Sequence, residues 1–257
     1  MVQVPYNAFM QLFSPFCPGC RENLSRNGDS FTCSKCGRVY PLKNGTVDFL
    51  TSLPLSDAQQ GVQKRFDAVA AAYDNAMVGL VESLSCPWST YTGRLEAFMA
   101  SSGGKVILDV GCGTAFPVGS FIPQTSIYLG MDISLEMLGH ARILLGDAMN
   151  AALWNIDAER IPLPDNCIDV CLGLMTFNVL PNPHKAATEI HRVLKKDGSV
   201  FGTAFIQAPP EETLNEQPVA PELMREILSV FDPAMWELSL ETQGGILFFK
   251  VRRSLKA

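Results

Sequence analysis

From residue 105 onward, short apolar runs alternate with amphipathic stretches. The runs 105–110 (KVILDV), 126–131 (SIYLGM), 153–156, 168–174 (IDVCLGL) and 199–205 read as strands. They are apolar on both faces, which suits a parallel sheet covered by helices. Helices are expected after Ser134, a good N-cap, and over 184–195. This β-α-β-α rhythm predicts an α/β fold. The tail breaks the rhythm. A helix over 222–230 precedes strands at 235–241 and 245–251, and Gln243-Gly244 reads as the tight turn of an antiparallel hairpin. Upstream, Val62, Phe66, Val69, Ala70, Tyr73 and Met77 follow steps of three and four, so a helix is expected from Val62. A second helix follows Pro87 and stops at Gly103-Gly104. Residues 51–61 (TSLPLSDAQQG) are polar with Pro and Gly and read as a linker.

The organisation expected is a small module at 1–50, a linker and helical cap at 51–104, and the α/β domain at 105–257. With 47% hydrophobic and 18% charged residues in a chain of 257, a substantial core is affordable and the composition is not that of a disordered protein. No apolar run reaches the length of a membrane span. Residues 1–16 lack the basic and then apolar regions of a signal peptide, so a cytoplasmic location is expected. Charge divides unevenly. Residues 1–50 carry five Lys/Arg against three Asp/Glu, whereas the remainder carries 15 against 23. An acidic α/β region weighs against nucleic acid as a ligand, because phosphate contacts supply much of the affinity for a polyanion.

Cys17, Cys20, Cys33 and Cys36 form CxxC–x12–CxxC. Two residues between cysteines let both thiolates of a knuckle reach one ion, and two knuckles close a tetrahedral site. Four thiolates leave no open position, so the expected zinc is structural. Cys86, Cys112, Cys167 and Cys171 lie in apolar segments and read as buried thiols. Residues 37–50 (GRVYPLKNGTVDFL) resemble the segment following the ribbon in the small zinc-ribbon activators of tRNA and release-factor methyltransferases. The large-subunit ribosomal RNA guanine methyltransferases also carry an N-terminal zinc site.

At the end of the first strand of the α/β region stands Asp109-Val110-Gly111-Cys112-Gly113-Thr114. The glycines allow a tight turn and close approach of a ligand to bare backbone. Three details favour a ligand other than a dinucleotide. Asp109 suits an ammonium group better than a pyrophosphate, position 116 is Phe where a third glycine is needed, and Asp132 ends the second strand, where a carboxylate can accept ribose hydroxyls. Residues 105–206 resemble the class I S-adenosylmethionine methyltransferases, of the group with small-molecule members. The segments 157–165 (DAERIPLPD) and 189–198 (EIHRVLKKDG) match further family motifs, with Lys196-Asp197 replacing Pro-Gly and Ala115 replacing a common third glycine.

The resemblance implies a Rossmann-like, seven-stranded, mostly parallel sheet with helices on both faces and an antiparallel last strand. It implies S-adenosylmethionine held by Tyr73, Asp109, Gly111, Cys112, Gly113, Asp132, Ile133, Asp157, Ala158 and Met175. Asp157 would accept the adenine amino group, and Tyr73, in a segment resembling the helix ahead of many such domains, would lie over the methionine end.

Methyl transfer needs positioning and desolvation more than a base. Candidates for direct contact with the reacting groups are Tyr73, Thr176 and Asn178, the last two from the loop after the fourth strand. His140, His184 and His191 are weaker candidates for a base. Three readings follow: a small-molecule methyltransferase; an RNA methyltransferase docking through Arg21, Arg26, Lys35, Arg38 and Lys43; and a non-enzymatic interaction protein. The first is favoured by the acidic α/β region and an apolar acceptor pocket. The segment 207–221, where many relatives insert a substrate lid, is short, which makes the N-terminal region the expected lid.

Overall fold

The computed structural model describes residues 15–146, 150–208 and 217–254. Parts of the expected N-terminal module (1–14) and of the short segment 207–221 (209–216) lie outside the described residues. The strands are β1 (Leu24–Asn27), β2 (Ser30–Cys33), β3 (Val39–Lys43), β4 (Thr46–Asp48), β5 (Val106–Val110), β6 (Ile127–Asp132), β7 (Ala151–Asn155), β8 (Ile168–Leu174), β9 (Leu194–Phe205), β10 (Trp236–Gln243) and β11 (Ile246–Arg253). They form one sheet in the order β1-β2-β3-β4-β7-β6-β5-β8-β9-β11-β10. The seven strands β5–β11 are the expected sheet, in which β11 runs antiparallel to both neighbours. The addition is at the other edge. The N-terminal module is not a separate body, because β4 pairs in parallel with β7, Val47 opposite Trp154. An aromatic chain cements the join: Tyr40 lies 5.1 Å from Phe49, and Phe49 lies 5.5 Å from Trp154, all fully buried. Sequence periodicity could not reveal this pairing, since three short residues carry no register signal.

The α-helices are α1 (Asp57–Val69), α2 (Tyr73–Ser83), α3 (Trp88–Met99), α4 (Leu135–Leu145), α5 (Pro183–Val193) and α6 (Pro221–Ile227). Alternation along the strands splits the core in two. Ile107 and Tyr128 pack with Met77, Leu95 and Leu138 from α2, α3 and α4. Leu108, Leu129 and Trp154 pack with Ile190 and Met224 from α5 and α6 and with Tyr40 and Phe49 of the ribbon.

Several boundaries move, each for a local reason. α1 begins at Asp57 rather than Val62, because Ser56 and Gln59 form a reciprocal capping box. The expected linker is thus half helix. The single helix expected over 62–77 breaks into α1 and α2 around a 3-10 turn at Ala70–Ala72. β9 starts at Leu194, directly at the end of α5, with a register shift against β8. The hairpin turn is Gly244-Gly245, since Gln243 still pairs with Ile246. Gly244 has φ +56°, and a Cβ there would meet the Leu84 carbonyl oxygen at 2.3 Å.

Candidate functional site

An open cavity lies at the carboxyl ends of β5, β6, β7 and β8. That is where open α/β sheets bind ligands. Its floor is the turn after β5. Gly111 and Gly113 adopt φ +67° and +55°, and a Cβ on Gly111 would meet Thr176 Cγ2 at 2.8 Å. Cys112 N–H donates to the Met131 carbonyl at 3.0 Å, which fixes the turn against β6. Ala115 takes φ +63°, the left-handed conformation that a glycine would take without strain.

Asp132 caps β6. Its carboxylate accepts from Gly113 N–H and Ser134 N–H, both at 2.9 Å. Burial pushes this carboxyl up to about 6 despite those donors. Asn155 braces the same turn by donating to the Asp132 and Ile133 carbonyls. Asp157, after β7, accepts from Glu159 N–H at 3.0 Å and from Gln59 Nε2 at 2.7 Å, and burial raises its carboxyl as well. Val62, Phe66 and Tyr73 from α1 and the start of α2 line the same cavity with Val179, Leu180 and Pro181. Tyr73 meets Phe66 edge-on with centroids 6.1 Å apart.

Of the expected binding residues, Tyr73, Gly111, Gly113, Asp132, Ile133, Asp157, Ala158 and Met175 line this cavity together. Asp109 and Cys112 are not among its lining residues. Asp109 is buried beside Tyr128, whose hydroxyl donates to its Oδ2 at 2.8 Å, and desolvation pushes its carboxyl up to about 7. The strand alternation that turns Val110 toward the cavity turns Asp109 away from it.

Thr176 lines the cavity, but its hydroxyl donates to the Val110 carbonyl at 2.8 Å. Asn178 is fully spent elsewhere. Its Nδ2 donates to the Phe205 and Gln217 carbonyls, and its Oδ1 accepts from Phe205 N–H at 3.1 Å. It is a brace for the end of β9, not a group facing a ligand. The histidines are not among the lining residues either: His191 packs edge-on against Phe231, and His184 lies 3.9 Å from Glu226. Sequence reasoning missed Gln59, which sits in the stretch read as linker. The Ser-x-x-Gln capping signature at Ser56 was the signal that would have found it.

The four N-terminal cysteine sulfurs lie within 4.8 Å of one another. Cys17 and Cys36 are 3.6 Å apart and Cys20 and Cys33 are 3.4 Å apart. Four ligands at about 2.3 Å in tetrahedral array would stand about 3.8 Å apart, so the set fits one zinc ion. Cys17 accompanies Phe16 and Arg21 onto the catalytic region: Phe16 N–H donates to the Pro162 carbonyl, and Arg21 pairs with Asp165 at 3.0 Å. The other four cysteines are buried, and burial raises their thiols.

Residues 108–202 match a family described as a methyltransferase domain. An uncharacterized chloroplastic methyltransferase of Arabidopsis thaliana is 25% identical over 220 residues, 76% of this chain and 62% of that protein. The ubiquinone/menaquinone biosynthesis C-methyltransferase UbiE of Cellvibrio japonicus is 31% identical over 176 residues, 64% of this chain and 67% of that protein. The chain therefore spans about two thirds or less of the length of these relatives. Among solved structures, a chain from the complex of a Haloferax volcanii methyltransferase activator with its methyltransferase superposes with a TM-score of 0.59 at 18% identity, covering 74% of this chain and 96% of that one. With the glycine turn, Asp132 and Asp157 at three adjacent strand ends, the chain belongs to the class I S-adenosylmethionine-dependent methyltransferases.

Proposed function

We propose that the chain transfers the methyl group of S-adenosylmethionine to a small, largely apolar acceptor. The carrying observation is the cavity. It brings the Asp132 and Asp157 carboxylates together with the apolar side chains of Val62, Phe66, Val179 and Leu180, which supports a nucleoside-bearing ligand beside an apolar one. When bound, the cofactor would supply a sulfonium methyl with a good leaving group, and the protein would contribute orientation and exclusion of water. Asp132 would accept the ribose hydroxyls, Asp157 the adenine amino group, and the bare turn at Gly111–Gly113 would approach the amino-acid end. Tyr73 and Phe66 would wall the methyl path. The lining carboxylates, Asp132 and Asp157, are committed to backbone and to Gln59, and no histidine, lysine or glutamate is among the described lining residues. An acceptor whose nucleophile is already acidic or electron-rich suits such a pocket, and one relative is by name a C-methyltransferase of ubiquinone/menaquinone biosynthesis.

We read the cysteine cluster as a structural zinc site. The charge distribution and the pairing of Arg21 with Asp165 and of Lys43 with Asp48 at 2.6 Å count against a basic RNA-docking face. Among the described residues no helix is long and apolar enough to cross a membrane. Calorimetric titration of the zinc-loaded protein with S-adenosylmethionine and S-adenosylhomocysteine tests the cofactor assignment. Micromolar binding of both is expected, and an absence of heat in a folded sample would overturn it.

A further inference from the structure

Four side chains tie the segment from α1 to α2 onto the three loops that form the cavity. Gln59 donates to Asp157 at 2.7 Å and Gln63 donates to the Ile133 carbonyl at 3.0 Å. Ser134 donates to Asp67 at 2.5 Å, and Thr114 donates to Asp74 at 2.6 Å. Gln59, Gln63 and Asp67 stand four apart, so they make one stripe along α1. Gln59 differs from the rest of the set. It is only 4% exposed, it lines the cavity itself, and it ends on a carboxylate that also lines the cavity.

Both ends of its carboxamide are committed. Oε1 accepts from Ser56 N–H at 2.9 Å and from the Ser56 hydroxyl at 3.0 Å, while Nε2 donates to Asp157 Oδ2. The flipped amide would set Nε2 against the Ser56 N–H and Oε1 against the carboxylate, so the chemistry of the partners fixes its orientation. One side chain therefore closes the first turn of α1 and aims the carboxylate of the base-binding end.

Resting on the reading of the cavity as the cofactor site, we propose that Gln59 is a cofactor-positioning residue, which holds the Asp157 carboxylate for the nucleoside base and makes base recognition depend on the seated first turn of α1. A carboxylate has about four acceptor positions, so Asp157 can serve Glu159 N–H, Gln59 Nε2 and a donor on the base together. The charged groups facing it are Glu159, Lys185 and Arg160, whose Nε lies 3.6 Å from Oδ2. Arg160 is 29% exposed, so without Gln59 the carboxylate is drawn toward the solvent side of its loop.

The test separates this role from plain helix capping. Glutamate is itself a favoured capping-box residue. Gln59→Glu thus keeps the helix start but sets a second carboxylate against Asp157. Gln59→Leu removes both functions, and Ser56→Ala weakens the cap while leaving the Nε2 donor in place. Affinity for S-adenosylhomocysteine is measured by calorimetry at about pH 6 and about pH 8, with thermal melts of each variant. At the higher pH Gln59→Glu is expected to bind at least about tenfold more weakly than the wild type, the order of one charged hydrogen bond, and to recover part of that loss at the lower pH, where the pair can share a proton. Gln59→Leu should lose about tenfold at both pH values, and Ser56→Ala distinctly less. Gln59→Glu binding within about twofold of wild type at the higher pH, or Gln59→Leu binding no more weakly than Ser56→Ala, overturns the role. Should Gln59→Glu not fold, the comparison of Gln59→Leu with Ser56→Ala decides. A wild-type protein that does not bind S-adenosylhomocysteine overturns the cofactor reading and this role with it, whereas a wild type that binds beside indifferent variants overturns this role alone.

Discussion

Asp109 keeps its carboxyl inside the protein beside the Tyr128 hydroxyl, where the charged form has lost its hydration and one hydrogen bond does not replace it. Its proton is held up to about 7, against an ordinary value of 3.8. The folded state therefore binds this proton more tightly than the unfolded chain does. The stability it contributes is whole below pH 3.8 and is lost as pH rises toward 7. Asp109→Asn keeps an acceptor for Tyr128 and removes the ionisation. It is expected to melt higher than wild type at about pH 8, by the equivalent of ~2–4 kcal/mol, with the gap shrinking as the pH falls toward 5. A melting difference that does not change with pH would refute the buried ionisation. Asn178→Ala would remove the partner of the Phe205 N–H and one donor each to the Phe205 and Gln217 carbonyls, the former keeping Val219 N–H, so it should cost about 1–3 kcal/mol in thermal melts while leaving cofactor affinity within about threefold. At this scale the sequence was most legible where spacing carries the chemistry: the cysteine pairs, the glycine turn, Asp132 and Asp157. It was least legible where the question was the direction of a side chain. Asp109 and Asn178 are the residue types a site needs, yet one faces the wrong side of its strand and the other is consumed by backbone.

Among elements, strand positions were the most readable, because β5, β6 and β8 are apolar on both faces and end in turn residues. Starts and stops were less so. α1 extends five residues back into a polar stretch because Ser56 and Gln59 satisfy its open N–H groups, a contribution that hydrophobic periodicity does not report. The hairpin β10–β11 was expected one residue out of place, and the reason is tertiary. Gly245 N–H donates to the Leu84 carbonyl at 2.7 Å, which presses the turn against the end of α2. Gly244→Ala would bring a methyl into that carbonyl at a positive φ, and a loss of about 2 kcal/mol or more is expected in denaturant titrations. At Gly111 the same substitution would drive into Thr176, on the floor of the cavity. Its expected mark is lost S-adenosylhomocysteine binding in a protein that still melts cooperatively, measured by calorimetry beside a thermal scan.

At the scale of the molecule, the α/β domain was legible as a rhythm, and the N-terminal module as a metal-binding pattern, but their union was not. Val47 and Phe49 belong to the segment expected to form part of the small N-terminal module. They lie instead in the main hydrophobic cluster, against Trp154. Melting should accordingly be shared. Removing the proposed zinc with a chelator is expected to lower the single transition of the whole chain and to alter Trp154 fluorescence, because the ribbon covers one edge of the sheet. A separate early transition with the main one unmoved would instead mark an autonomous domain.

The parallel pairing of β4 with β7 also sets an order of events during synthesis. Thr46 must wait for Leu153, more than a hundred residues later, before its backbone finds a partner in the main sheet. At about 5–20 residues per second the growing chain carries an open strand edge for roughly 5–20 s. The ribbon strands β1–β4 close early through local antiparallel contacts, whereas the outer edge of β4 stays exposed to neighbouring nascent chains until the middle of the α/β domain emerges. The interval in which this protein is most open to mispairing is thus set by the length of chain between its two halves.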